Sequence, residues 1–183
     1  MQVARSGGYV SGHRGVRLGW IIAAMVAVGL AASALQAQAA ATAVRFDPAA
    51  FFTGRTTSQG TLKQILSSTK TTSVSTFGTR QSNGDMVLEQ DVKIGNQPTR
   101  HRVWRLRETS PGQFGGTISD AADDLSGTLA GDTLTLTYTM DNNLWVHQVI
   151  TINRDGQSAS NVMRIRRFGI TVARLTETIQ RER

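Results

Sequence analysis

Arginines at two-residue spacing are the side chains of this sequence best suited to meet a ligand. Arg100 and Arg102 precede Trp104 in the pattern i, i+2, i+4, so on a strand all three share one face. Arg105 and Arg107 then share the opposite face with His101 and Val103. Further on, Arg164 and Arg166 share a face with Val162, while Arg167 lies opposite with Met163 and Ile165. A half-buried strand must turn one set of each group toward an interior. A guanidinium held there needs a carboxylate partner or an anionic ligand. The structural alternatives are an internal pair with Asp or Glu, or an Arg stem that carries its head to the rim. Trp104, Arg102 and Arg164 are therefore the candidate ligand-binding residues. Trp104 would line a pocket, and either arginine would meet an anionic head group.

No comparable set points to catalysis or metal binding. Beyond the N-terminal segment the sequence holds two histidines, His101 and His147, on separate predicted strands and without the close spacing of a zinc motif. No Gly-x-Ser-x-Gly elbow, phosphate loop or dinucleotide fingerprint occurs there. Cysteine is absent, which excludes disulfides, thiolate nucleophiles and thiolate metal sites. Asp120, Asp123 and Asp124 form the densest acidic cluster, and hard cations prefer several such oxygens. The Gly-punctuated loop of a calcium site is missing, so a solvated loop or pairing with a nearby Arg is expected. These features predict a non-enzyme with no cofactor and no metal. Aromatic residues make up 6%, too few stacking platforms to predict nucleic-acid binding.

The elements that must carry these residues read as strands. Thr133 to Met140 alternates polar and apolar without a break, wetting one face and burying the other. Turn signals recur at Asn83-Gly84, Gly95-Asn96, Ser110-Pro111-Gly112, Gly131-Asp132, Asp141-Asn142-Asn143, Asp155-Gly156 and Phe168-Gly169. They predict strands near 55–66, 70–79, 85–94, 99–107, 113–119, 125–130, 132–140, 144–153, 159–167 and 170–180. Leu134, Leu136, Tyr138 and Met140 share one face. Leu144, Val146, Ile150 and Ile152 share another with Gln148, as do Met86, Leu88, Val92 and Ile94 with Gln90. Each Gln, once buried, needs a partner. Asp47 and Pro48 mark the start of a short helical turn ending at Gly54, with Phe51 and Phe52 as a plug for one end of the sheet. Consecutive hairpins predict an all-β, antiparallel up-and-down meander whose closure into a barrel removes its edges.

The N-terminus reads as an export signal. Residues 1–19 hold three Arg and no acid, Trp20 to Leu35 is apolar, and Ala37-Gln38-Ala39 gives a small-x-small cleavage pattern. The apolar run is short for a bilayer span. The expected organisation is a signal peptide over 1–39, a linker over 40–45, one barrel domain over 46–180 and a charged tail over 181–183. Retention of the apolar segment as an anchor is the alternative. Of the 20 basic residues, Arg5, Arg14 and Arg17 lie in the signal; the other 17 face 13 acids, so the remainder carries +4. The expected location is the periplasm or the exterior.

The order Phe51-Phe52-Thr53-Gly54-Arg55, Arg102-Val103-Trp104-Arg105-Leu106, Gly116-Thr117-Ile118-Ser119-Asp120, a strand containing Gly127, Leu134 to Tyr138 and Phe168-Gly169 resembles the bacterial family known as domain of unknown function 3833. The resemblance spans roughly Phe46 to Gln180 and implies an envelope-directed, lipocalin/calycin-like barrel. Many members resemble lipoproteins, but the cysteine that takes the lipid is missing here, so an anchor is not carried over. The resulting expectation is a barrel that binds a small amphipathic or anionic, lipid-like molecule. The alternative is a structural or interaction barrel with a filled core. Insertion into the outer membrane is not expected, because Thr133, Thr135, Thr137 and Thr139 would have to meet lipid.

Overall fold

The computed structural model describes residues 45–182. The signal segment, its cleavage after Ala39 and most of the linker lie outside the described residues, as does Arg183.

Chain order places a short helix α1 (Pro48–Phe52) before ten strands: β1 (Gly54–Gln64), β2 (Lys70–Arg80), β3 (Met86–Ile94), β4 (Arg100–Ser110), β5 (Gln113–Ile118), β6 (Leu125–Ala130), β7 (Thr133–Met140), β8 (Leu144–Ile152), β9 (Ser158–Arg167) and β10 (Ile170–Arg181). Every strand pairs antiparallel with its sequence neighbour, and β1 pairs with β10, so the sheet closes into a barrel. Closure leaves no strand edge to template aggregation. This is the meander predicted above, and the predicted strands match to within a few residues. The largest departure is β4, which runs to Ser110. Its last residues, Arg107 to Ser110, are exposed on both faces and show no alternation, yet they pair with β5 through a register shift between Glu108 and Ser110.

Period-two burial fills the interior. Leu134, Leu136 and Tyr138 of β7 are buried, and the intervening threonines are half-buried on the outside. There the Thr137 and Ser126 hydroxyls bond at 2.7 Å. Val146, Gln148, Ile150 and Ile152 of β8 face inward, as do Met86 and Leu88 of β3. The neighbouring strands complete one continuous core, with a smaller cluster at Leu62, Ala173 and Leu175.

Helix α1 closes one end. The Asp47 carboxylate accepts from the Ala50 N–H at 3.0 Å, and Pro48 occupies the first turn, where no donor is lost. Phe46, Phe51 and Phe52 are buried against one another, with the last two rings edge-to-face at 4.9 Å. The Phe46 N–H donates to Gly131 O in the β6–β7 turn, which pins this segment to that end of the barrel. Gly78 of β2 admits the helix: a Cβ there would collide with the Phe52 carbonyl.

Candidate functional site

Inside the barrel lies a cavity of about 170 Å³. An apolar cavity of roughly 150 Å³ is enough to admit benzene. Phe52 forms its floor, and Leu88, Trp104, Leu136, Ile150, Met163 and Leu175 contribute walls. Phe52 is buried, whereas the lining residues Ile94, Met140 and Ile165 are half-buried. The lining thus runs from the aromatic plug to half-buried residues farther along the barrel.

Trp104 is set in the wall by β4. Its ring is edge-to-face with Tyr138 at 5.4 Å. Its Nε1–H donates to Gln90 Oε1 at 2.7 Å, and Gln90 Nε2 donates to Thr76 Oγ1 at 3.1 Å. The polar break in the β3 stripe is thus a clamp that fixes the indole. Gln148, the break in β8, accepts from the Tyr138 hydroxyl at 3.5 Å.

Arg102, two residues before Trp104, also points inward. Its Nε and Nη2 both donate to Asp120 Oδ2, at 3.0 and 2.7 Å. The β5–β6 loop brings Asp120 over this guanidinium and leaves Asp123 and Asp124 exposed. The acidic cluster therefore supplies an arginine partner. Among the described residues no group of three or more His, Asp or Glu is placed to hold a metal ion. Burial is the main cause that drives the Tyr138 pKa upward. Asp120 and Glu177 push the same way and Arg102 opposes them.

Arg164 does not join this site. Asn161, Met163 and Ile165 take the inward positions of β9 and line the cavity, which turns Arg164 and Arg166 to the outside. Arg164 there pairs in register with His147 and Arg174. Arg166 lies 5.4 Å over the Trp145 ring, which in turn stacks on His147. Of the three expected ligand-binding residues, the barrel thus brings two, Trp104 and Arg102, to the cavity. His101 is on the outer face too, bonded to Asp91 at 3.0 Å.

Several buried, inward polar residues were not anticipated as site residues, among them Glu177, Asn161, Thr72, Ser58 and Thr76. Their phase was readable. Glu177 sits in step with Ala173, Leu175 and Ile179, and Asn161 in step with Ala159, Met163 and Ile165. A charged residue inside an apolar stripe was the missed signal.

A closed ten-stranded antiparallel barrel, plugged at one end and hollow within, defines a lipocalin-like barrel protein. The chain belongs to the family described as "Protein of unknown function (DUF3833)", whose profile matches residues 24–181. Among solved structures it is similar to the S-type phycobiliprotein lyase CPES from Guillardia theta, at 10% identity and a TM-score of 0.59, over 74% of this chain and 90% of that one. It is also similar to Rv2717c from M. tuberculosis, at 15% identity and a TM-score of 0.57, over 75% and 99% of the two chains. A protein of unknown function from the DUF3598 family of Nostoc punctiforme aligns at 10% identity and a TM-score of 0.53, over 77% of this chain and 51% of the other. These likenesses establish the shared fold. No curated protein matches the sequence.

Proposed function

We propose that this protein is an exported, non-catalytic barrel of the bacterial envelope that holds a small amphipathic molecule in its cavity. The observation that carries this reading is the cavity: an apolar chamber with a few placed polar groups, closed at one end by the aromatic plug. Ligand sites are built in this way. The export pattern before residue 40 supports the location. The polarity of the barrel supports a water-facing exterior. Apolar residues fill the inside while Arg105, Arg107 and Arg174 stand outside, the reverse of a lipid-spanning barrel. No helix among the described residues is long and apolar enough to cross a membrane. An anionic head group is not required by Arg102, because Asp120 already neutralises that guanidinium.

The second reading, a structural or interaction barrel, draws on the same neutralisation. Trp104, Gln90 and Arg102 all find partners within the protein. Native mass spectrometry of the exported protein, purified without detergent and then extracted with organic solvent, separates the two. The ligand reading predicts a bound small molecule with an apolar body. An apo mass, with octan-1-ol and other neutral amphiphiles failing to bind, would favour the structural reading.

A further inference from the structure

A row of inward positions crosses four strands of the barrel. Thr72 of β2 lies opposite Gly60 of β1, Gly60 opposite Glu177 of β10, and Glu177 opposite Asn161 of β9. Gly60 is the reason the row works. A Cβ at that position would collide with the Thr176 carbonyl and come within 2.6 Å of the Glu177 Cγ, so the missing side chain leaves room for the β10 backbone and the glutamate together. From there the carboxylate accepts from Thr72 Oγ1 at 2.9 Å and from Asn161 Nδ2 at 3.1 Å. Glu177 is 7% exposed and Asn161 3%, and both line the cavity.

Both of these donors are neutral. Among the described residues Glu177 makes no ion pair; the inward cation Arg102 is committed to Asp120. A carboxylate offers about four acceptor positions, of which two are filled here. Asn161 Oδ1, the acceptor beside it, is buried and has no partner among the described residues. A charge and an orphan acceptor in an apolar wall are costly unless something donates to them. The missing complement is a cationic donor, and a primary ammonium supplies both the charge and several N–H groups.

We propose that Glu177 and Asn161 form a head-group subsite that selects an amphipathic amine over an amphipathic carboxylate. This deepens the ligand-binding reading and rests on it. The ammonium would donate to the free positions of Glu177 and to Asn161 Oδ1 while its apolar body lies along Leu175, Met163 and Ile150.

Calorimetric titration of the exported protein with octylamine, octan-1-ol and octanoate provides the test, because the three probes share one apolar body. Octylamine is expected to bind about tenfold or more tighter than the other two, the scale of one hydrogen-bonded charge. Glu177→Gln, which keeps shape and hydrogen bonding, is expected to bring octylamine down to the level of octan-1-ol. Octanoate binding as tightly as octylamine would overturn the subsite. So would a folded Glu177→Gln protein that binds octylamine unchanged. If the variant fails to fold, the three-probe comparison on the unsubstituted protein still decides. Octan-1-ol binding without a preference for octylamine removes the subsite and leaves the cavity reading standing; no binding of any probe removes both.

Discussion

The Tyr138 hydroxyl lies among Gln148, Arg102 and two carboxylates, on a side chain only 3% exposed. Its upward pKa shift has a consequence for alkaline stability. An unfolded tyrosine ionises near pH 10, while the folded one holds its proton to higher pH. The unfolded state therefore gains by ionising first. The stability tied to this group is complete below about pH 10 and falls as the pH rises beyond it. In a chain cleaved after Ala39, Tyr138 is the sole tyrosine, so phenolate absorbance reports it alone. Phenolate is expected to appear together with unfolding, and Tyr138→Phe to blunt the alkaline loss. A phenolate signal near pH 10 from the folded protein would contradict this. Spacing placed Arg102 and Trp104 on one face, and they do face inward together. For Arg164 the spacing was equally clear, but both faces of β9 carry apolar residues, Val162 on one and Met163 with Ile165 on the other. Periodicity alone left the sign open, and the packing of Met163 and Ile165 against the core settled it.

Among the elements, the β9–β10 hairpin departs from its preferred chemistry. Phe168 and Gly169 join the strands with φ of 49° and 79°, the two positive angles of a type I′ turn. Phenylalanine carries a steric penalty there, and the residue is 88% exposed, with the Arg167 guanidinium 5.4 Å over its ring. Phe168→Asn is expected to stabilise the protein by about 1 kcal/mol, read from the denaturant midpoint at unchanged slope. A lower midpoint would mean that the ring makes contacts worth more than the turn strain. Most of the strands were legible because Gly, Asn, Asp and Pro punctuate them and because Thr and Val are enriched between the marks; the break between β1 and β2 is marked only by Ser67-Ser68-Thr69. Helix α1 was legible from Asp47-Pro48 and the paired phenylalanines. The last three residues of β4, Glu108 to Ser110, were not. They are polar on both sides, and only pairing with Gln113 and Phe114 extends the strand to Ser110.

For the whole molecule, closure follows from pairing between the first and last strands, Thr56 opposite Arg181 through Gln64 opposite Ala173. Hairpin order suggested it, since each strand seeks two neighbours and only closure satisfies the terminal ones. The cavity was not legible. A binary pattern says which side chains face inward, but whether they meet depends on the barrel's radius and on side-chain volume at each level. Gly60, Ser58 and Thr76 contribute little bulk to their inward positions, and α1 fills one end alone, so space remains above the aromatic plug. The claim that this space is a ligand chamber is tested most directly by heteronuclear NMR of the exported protein titrated with octan-1-ol. A ligand in the chamber gives saturable shifts at the Trp104 indole N–H and at the methyl groups of Leu88, Leu136 and Ile150, with the outer Trp145 indole unmoved. Shifts confined to the Trp145 face, or none at Trp104 at saturating probe, would contradict that claim.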